Sequence, residues 1–266
     1  MKSNITVGIP FYEETSCEEF ILSVDSIINQ TLKPDMIHLI QDGNVDNQIE
    51  KIAKKYVLKN HNIEHIKLKK GNLAISLNES IKRTKTKYYA RMDADDISDL
   101  NRLKIQCEFL NCNNHIDVLG SWAVEFSNNI HSQNNFIKKV PSNSSDIITF
   151  YHYRNPLIHP SVVFRVKIFD IVGYYNERFS SDQDLELWGR CIKKNIGICN
   201  IEEPLLYNNI SGIHSRRTRV QAIYNQILAR SVVPAPTLKL KLLKILSIFF
   251  RFMPKLIIKY AYRRLR

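Results

Sequence analysis

Short apolar runs alternate with stretches of helical periodicity over the first hundred residues of the chain. The runs "ITVGIPF", "MIHLI", "IEHIKL" and "YYARM" have the length and composition of buried strands. Helices are predicted to begin at about Cys17, Asp46, Asn72 and Asp99, and Ser98 or Asp99 is the predicted N-cap of the last of these. This alternation predicts βαβ units in an α/β fold, with a mostly parallel central sheet flanked by helices.

Acidic and polar side chains follow these predicted strands at the points where they end. They are Glu13 after the first strand, Gln41 and Asp42 after the second, and Asp93, Asp95 and Asp96 after the fourth. The carboxyl ends of parallel strands are where such sheets bind ligands. We therefore expect these side chains to converge on one crevice.

The stretch "RMDADDIS" is the most acidic of these strand ends. Asp93 and Asp95 flank a single residue, so an extended chain projects both carboxylates to the same side. Two adjacent carboxylates repel each other unless a cation or sugar hydroxyls separate them, and their hard oxygens suit Mn²⁺ or Mg²⁺. The alternative is an acidic turn that caps a helix, because D-x-D is short and occurs by chance. The sheet context favours the metal.

The basic charge of the chain is concentrated at its C-terminal end. The formal net charge is +12, and the residues after Glu203 include thirteen Lys and Arg but no Asp or Glu. In "LKLKLLKILSIFFRFMPKLIIKYAYRRLR" (238–266), helical spacing predicts an amphipathic helix with Leu, Ile and Phe opposite a cationic stripe. The stripe consists of Lys241, Lys244, Arg251, Lys255 and Lys259.

This C-terminal segment is predicted to lie on a membrane rather than to cross it. Its longest uncharged run, Ile245 to Phe250, is far shorter than the ~20 residues of a membrane span, and Pro254 is expected to kink or divide the helix. Each cation near an anionic leaflet contributes about 1 kcal/mol. Packing of the helix on the body is the alternative. Nucleic acid is disfavoured, because it offers the apolar face no partner.

Cysteine use and the N-terminus both predict a cytoplasmic location, and the basic C-terminal segment predicts a peripheral position at the inner face of the cytoplasmic membrane. The five cysteines include no CxxC pair, which is typical of reduced thiols. The opening "MKSN" leads directly into the first strand, without the apolar run of a secretory signal. Export is therefore not expected.

Six short stretches occur in an order shared with one enzyme family. They are "VGIPFYE", "IQDGNVD", "GNLAISLNESI", "RMDADDIS", "NPLIHPSVVFR" and "QDLELWGR". Together they resemble the motifs of glycosyltransferase family 2, the inverting nucleotide-sugar transferases with the Rossmann-like GT-A fold. The resemblance implies a GT-A domain over residues 1–217, with a donor-binding half (1–100) and an acceptor-binding half (101–217). Residues 218–266 would then form the membrane-association segment.

The resemblance implies roles on the donor side of the site. Tyr12 would stack on the nucleotide base, and Asp42 would contact the base, with Gln41 in place of a family acid. Asp93 would face the ribose, and Asp95 would ligand the metal that bridges the diphosphate. The other donor-site candidates are Pro10, Glu13, Asp96 and Arg91.

Inversion in one step needs a general base on the face of the sugar opposite the leaving group. When "LW" and the following Arg are aligned with the same residues of the family's motif, the resemblance places this base at Asp184, with Gln183 in place of the usual Glu. Asp182 is the alternative base, and simple capping of the helix that contains Trp188 is the structural alternative for either. We expect Trp188 to be a core residue.

Two histidines and a polar stretch complete the candidates. His159 and His214 could ligand the metal or a phosphate, although neutral structural histidines are commoner. The basic neighbours of His214, Arg216 and Arg217, suit a lid over the diphosphate. Residues 126–146 predict a loop or an exposed hairpin.

The resemblance and the tail together imply an enzyme that moves a hexose, galactose or glucose, from a UDP-sugar to an undecaprenyl diphosphate-linked saccharide. Inversion implies a β linkage, and the setting is surface-polysaccharide assembly such as O-antigen. A phosphatase would carry D-x-D on its first strand. A nucleotidyltransferase of related fold would need a basic Gly-rich loop where this chain has "YEETSCEE". A noncatalytic membrane-surface lipid- or saccharide-binding module would leave the acidic crevice unexplained.

Overall fold

The first hundred residues form the elements that their apolar pattern predicts. The computed structural model describes residues 3–127, 130, 132, 135–211, 220–250 and 253. The elements are β1 Ile5–Tyr12, α1 Cys17–Ile28, β2 Met36–Asp42, α2 Asn47–Lys59, β3 Ile63–Leu68, α3 Leu73–Arg83 and β4 Tyr88–Arg91. β1 pairs in parallel with β2 and with β4, and β2 pairs in parallel with β3. The predicted βαβ units are therefore confirmed in this half.

Three of the four predicted helix starts are confirmed, and the fourth is wrong. α4 spans Arg102–Cys112 after Asn101, whereas its N-cap was predicted at Ser98 or Asp99. Ser98 instead lies in β5 (Ile97–Ser98), which pairs antiparallel with β9 (Ile198–Asn209). A strand that is distant in sequence holds this stretch extended, so local capping signals could not locate the helix start.

The second half of the chain completes a mixed sheet. Its other elements are β6 Val118–Phe126, β7 Phe136–Lys138, α5 Ser144–Tyr151, a 3₁₀ turn His159–Ser161, β8 Val163–Arg165, α6 Ile168–Val172, α7 Gln183–Lys193, α8 Val220–Ser231 and α9 Leu238–Phe249. The strand order is β3-β2-β1-β4-β8-β6-β9-β5, with β7 paired to β6. β8 runs antiparallel to β4 and to β6. The antiparallel β6–β7 pair confirms the predicted exposed hairpin within the described part of residues 126–146.

Helices cover both faces of this sheet and enclose a core on each side. One core cluster contains Phe11 of β1 and Phe20 of α1, and the other contains Trp188 of α7. Tyr88 and Tyr89 are adjacent on β4 but belong to opposite clusters, because successive strand side chains alternate between faces. Both faces of β4 are thus buried, which fixes the position of the acidic stretch that follows it.

α8 packs on the body of the protein. Ala229 of α8 is fully buried in the second core cluster, and the hydroxyl of Tyr151 donates to its carbonyl at 2.5 Å. The predicted domain boundary after residue 217 lies within residues 212–219, outside the described residues. The division into 1–217 and 218–266 therefore stays a prediction.

α9 turns an apolar face outward. This apolar face of α9 is exposed and consists of Leu238, Leu242, Ile245, Leu246 and Phe249. Lys244, which was predicted to lie on the exposed cationic stripe, is instead half-buried and donates to the carbonyl of Val233 at 3.1 Å. Its neighbours in that predicted stripe, Arg251, Lys255 and Lys259, lie outside the described residues. Within the ranges described, no helix has the length and apolar character to cross a bilayer.

Candidate active site

An acidic cluster lies where β4 ends at the edge of the parallel sheet. The carboxylate oxygens that Asp93, Asp95 and Asp96 offer lie within 4.8 Å of one another. The hydroxyl of Ser23 donates to the carbonyl of Asp93 at 2.7 Å, so α1 fixes the point where the chain leaves the sheet. The structure therefore brings together the three acids that the sequence predicted at this edge.

The three acids of this cluster have different partners. Arg91 binds Asp93 with two nitrogens, one of them 2.6 Å from a carboxylate oxygen. Asp96 is fully buried and accepts the side-chain amide of Asn208 at 3.0 Å and a β9 backbone N–H at 2.7 Å. In the described part of the chain, no ion pair holds Asp95. Asp96 is thus tied to β9, whereas Asp95 is placed to take a cation.

Burial and mutual repulsion favour protons on Asp95 and Asp96 in the absence of a cation. Burial, and then the charge of Asp93, raises the pKa of Asp95 to about 7. Burial, and then the charges of Asp93 and Asp95, raise the pKa of Asp96 well above its usual range. A divalent cation relieves the same repulsion, and an all-oxygen donor set suits Mn²⁺ or Mg²⁺. The residues present therefore fit such an ion, for which Asp95 and Asp93 would be the ligands.

Two buried guanidinium groups offset part of the negative charge of the cluster. Arg91 is 2% exposed. Its burial lowers its pKa, but the charges of Asp93 and Asp96 outweigh that effect and raise it. Arg102 is fully buried and donates to the carbonyl of Arg91 at 2.9 Å, and its burial lowers its pKa to about 9. The predicted helper Arg91 thus lies directly beneath the acids.

Asp184 lies in the first turn of α7. Its Oδ2 accepts the side-chain N–H of Asn155 at 2.5 Å. Burial, and then the charge of Asp182, raises the pKa of Asp184, while the charge of Arg91 lowers it. Arg91, which pairs with Asp93, therefore acts electrostatically on Asp184 as well.

Asp182, the alternative base, occupies a different position. It precedes α7 with a left-handed φ of 57°, and its side chain makes no capping hydrogen bond with the helix. The hydroxyl of Ser181 lies 3.3 Å from its carboxylate. Helix capping therefore does not account for Asp182. Trp188, farther along α7, is fully buried as predicted.

The candidates for binding the nucleotide base lie at the ends of β1 and β2. Tyr12 and Asp42 are register partners across these strands, and Tyr12 is 38% exposed. Oδ1 of Asp42 accepts the backbone N–H of Gly71 at 2.6 Å. Glu13 is exposed and lies 3.3 Å from the ammonium of Lys70. This edge therefore offers a ring and a carboxylate side by side.

Two further residues of this edge are buried. The Gln41 amide donates to the carbonyl of Gly43 at 3.0 Å, and its oxygen lies 2.9 Å from Nε2 of His65. Pro10 is buried within β1, opposite Ile40 in the register. The side-chain amide of Gln41 therefore makes both of these contacts within the protein, one to the turn after β2 and one to strand β3.

Of the two histidine candidates, His159 is the one among the described residues, and it does not join the acidic cluster. The ring of His159 is buried, with Nε2 2.8 Å from the hydroxyl of Tyr175. Burial, and then the charge of Arg91, lowers its pKa well below the usual range. The geometry favours a neutral structural histidine. His214, Arg216 and Arg217 lie outside the described residues.

Sequence reasoning missed the asparagines that hold these acids. Asn155 contacts Asp184, and Asn208 contacts Asp96. Asn155 is the first residue of "NPLIHPSVVFR", one of the six stretches shared with the family, but the resemblance implied no role for this residue. Asn208 ends a strand-like run, and that position at a strand end was the available signal.

Comparison with known proteins is consistent with this geometry. Residues 6–170 match the model of the family described as "Glycosyl transferase family 2". A protein of Escherichia coli described as "UDP-Gal:alpha-D-GlcNAc-diphosphoundecaprenol beta-1,3-galactosyltransferase" is 30% identical over 189 residues, 69% of this chain and 66% of that protein. The "Bifunctional glycosyltransferase pgtA" of Dictyostelium discoideum is 33% identical over 223 residues, 70% of this chain and 29% of that protein. The chain thus spans under a third of the Dictyostelium relative and about two thirds of the E. coli relative.

A solved structure shows the same fold. The structure described as "Crystal structure of S. aureus TarS 1-349 in complex with UDP-GlcNAc" matches with a TM-score of 0.67 and 18% sequence identity, covering 94% of this chain and 72% of that one. The predicted GT-A fold, with its mixed and mostly parallel sheet between helices, is confirmed. The match of the family model to more than half of the chain, on a sheet whose edge gathers three acids, makes this protein a glycosyltransferase of family 2.

Proposed function

We propose that this glycosyltransferase moves a hexose from a UDP-sugar to a saccharide linked to undecaprenyl diphosphate, in surface-polysaccharide assembly. The name of the E. coli relative supports a diphosphoundecaprenol acceptor and favours galactose over glucose. Direct displacement at the anomeric carbon inverts it, so an α-linked donor gives a β-linked product. The bound UDP-GlcNAc of TarS supports a UDP-sugar as donor.

One observation carries this proposal: Arg91 acts on both groups of acids that the reaction needs. It pairs with Asp93, and its charge acts on Asp184. One group of acids would meet the donor diphosphate, and the other would meet the acceptor hydroxyl. The charge of one buried arginine therefore acts on the acids proposed for donor activation and on the acid proposed for proton removal.

The proposed reaction is a single displacement. Asp184 accepts the proton of the acceptor hydroxyl while that oxygen attacks the anomeric carbon. The bond from the anomeric carbon to the diphosphate oxygen breaks, and UDP departs with the electron pair. Mn²⁺ or Mg²⁺ held by Asp95 and Asp93 would supply neutralisation of the charge that develops on the diphosphate. Arg91 orients Asp93 throughout, because two of its nitrogens contact that carboxylate.

The base of the donor would bind at the ends of β1 and β2. The exposed ring of Tyr12 offers a stacking surface. Oδ1 of Asp42 is taken by the Gly71 N–H, which leaves Oδ2 for an N–H of uracil. Pro10 is buried near the end of β1 and Glu13 directly follows Tyr12, so both lie beside the proposed stacking ring.

The same proposal includes contact of α9 with the cytoplasmic face of the membrane. The apolar face of α9 is exposed. At about 100° per residue, the exposed Lys239 and Lys241 flank that face on its two sides. An apolar face bordered by lysines is the arrangement of interfacial helices, and it would bring the site to a lipid-linked acceptor.

The first experiment measures UDP release from UDP-galactose, UDP-glucose and UDP-GlcNAc, with and without Mn²⁺, in the presence of an undecaprenyl diphosphate-linked saccharide. We expect metal-dependent release with one sugar. Asp95→Asn should lose the metal dependence together with the activity, and Asp184→Asn should lose transfer but retain donor binding. Absence of UDP-sugar binding with either metal would overturn the proposal.

Contact with the membrane is tested separately by co-sedimentation with phosphatidylglycerol vesicles. The double variant Leu242→Glu/Leu246→Glu should bind about tenfold more weakly, because it places charge on the apolar face of α9. The matched control is Leu58→Glu, since Leu58 on α2 is 87% exposed. Equal binding by both variants would contradict the role of α9.

A further inference from the structure

Asn155 makes a contact with Asp184 that no motif assigned. Its side-chain N–H lies 2.5 Å from Oδ2 of Asp184, although 29 residues separate the two in sequence. Both side chains are half-buried. One of the two carboxylate oxygens of Asp184 is therefore occupied by a neutral donor.

The amide of Asn155 cannot easily present its oxygen instead. Its Oδ1 accepts the backbone N–H of Leu157 at 3.3 Å, which directs the NH₂ group toward Asp184. Exchange of the amide oxygen and nitrogen would break both contacts and would set two oxygens against each other. The direction of this hydrogen bond is thus determined by the backbone of its own loop.

The loop that carries Asn155 is itself held in place. Pro156 restricts the backbone of Asn155 to extended conformations. The carbonyl of Pro156 accepts the side-chain amide of Asn200 at 3.0 Å, and the same Asn200 amide donates to Pro141 at 2.6 Å. Because Asn200 lies on β9, the sheet anchors the loop that approaches Asp184.

We propose that Asn155 is a positioning residue for the general base: it binds Oδ2 of Asp184, so that Oδ1 is the oxygen that accepts the proton of the acceptor hydroxyl. This inference rests on the proposed role of Asp184 as the base. The amide donor favours the ionised carboxylate, which is the form that a base must have. A lysine at this place would ion-pair with the base and lower its basicity, whereas an amide orients it without adding charge.

Other charged and titratable groups also face Asp184. Asp182 lies on the same segment, Arg91 on β4, and Tyr175 in the loop after α6. Burial and Asp182 oppose ionisation of Asp184, while Asn155, a backbone N–H and Arg91 favour it. Loss of Asn155 therefore leaves the backbone N–H and the charge of Arg91 to favour ionisation, and Asn155 variants should keep a reduced and measurable rate.

The test compares Asn155→Ala with Asn155→Asp in the full-length protein. Asn155→Asp keeps the shape of the side chain and an oxygen for the Leu157 N–H, but it replaces the donor with an acceptor. We expect kcat to fall about tenfold in Asn155→Ala and further in Asn155→Asp. The acid limb of the kcat profile should move to higher pH in both, while KM for the UDP-sugar stays within about twofold.

Two controls separate orientation of the base from stability of the loop. Asn143→Ala removes the N-cap of α5, which precedes the same loop but makes no contact with Asp184, so its pH profile should match that of the wild type. In the Asp184→Asn background, Asn155→Ala should have no further effect on the residual rate, because the base that it orients is gone.

A merely structural Asn155 would give a different pattern. Asn155→Asp would then restore the wild-type rate, or kcat would fall equally at every pH and in the Asp184→Asn background as well. Either result overturns the inference. A wild-type protein that transfers no sugar from any UDP-sugar would instead overturn the proposed function, so the two failures are distinguishable.

Discussion

The acidic cluster after β4 and the Asp184 carboxylate on α7 are both influenced by Arg91, but the fold holds them in opposite ways. Two buried arginines lie beneath the cluster, and one of them pairs directly with Asp93. Asp184 is held by the neutral Asn155. The proposed cation site concentrates negative charge, and the buried arginines compensate part of that charge. The proposed base would have to direct one oxygen at the acceptor and change its protonation, which a neutral donor permits.

Removal of the charge compensation should have the largest effect. Arg91→Met removes the buried ion-pair partner of Asp93, whose side chain is 30% exposed, and we expect the free energy of unfolding to fall by about 3 kcal/mol. Urea denaturation measures it. The matched control is Arg83→Met, because Arg83 is 47% exposed in its ion pair with Glu64 and should lose less than about 1 kcal/mol. Equal losses in the two variants would refute the compensating role of Arg91.

Substitution of each candidate base in turn should distinguish the two by the effect on kcat. Asp184→Asn should reduce kcat about 10³-fold, which is the contribution of a general base, with donor affinity unchanged. Asp182→Asn is the matched control, since asparagine tolerates the left-handed φ of 57°. We expect Asp182→Asn to retain most of its activity in single-turnover assays. The opposite ranking would transfer the role of base to Asp182.

The pH dependence of metal affinity should distinguish the two regions further. With the pKa of Asp95 raised to about 7 in the absence of a cation, Mn²⁺ must displace a proton from Asp95 below that pH. Affinity should therefore fall about tenfold per pH unit as the pH drops through this range, and calorimetry measures it. Asp184→Asn should leave this dependence unchanged. A pH-independent affinity between 5 and 7 would show that Asp95 is already ionised without metal.

The smallest expected effect lies at the buried end of the cluster. Asn208→Ala removes the side-chain donor to Asp96 but leaves the β9 backbone donor in place. We expect a loss of about 1–2 kcal/mol in the free energy of unfolding, measured by thermal denaturation. Asn176→Ala, which removes only a local contact with the Arg178 N–H, is the control and should change stability by less than about 0.5 kcal/mol. A loss no larger than that of this control would show that Asn208 does not anchor Asp96.

The sequence by itself determined the parallel half of the fold and the members of the acidic cluster. Strand periodicity, helix caps at Ser16, Asp46 and Asn72, and the spacing of Asp93 and Asp95 are local properties, because each depends on residues within a few positions. Only the tertiary structure decided how these acids are held. Asn208 of β9 reaches Asp96 across 112 residues, and Asn155 reaches Asp184 across 29. The start of α4 and the inward turn of Lys244 were likewise settled by pairing and packing between distant segments, for which local patterns carry no signal.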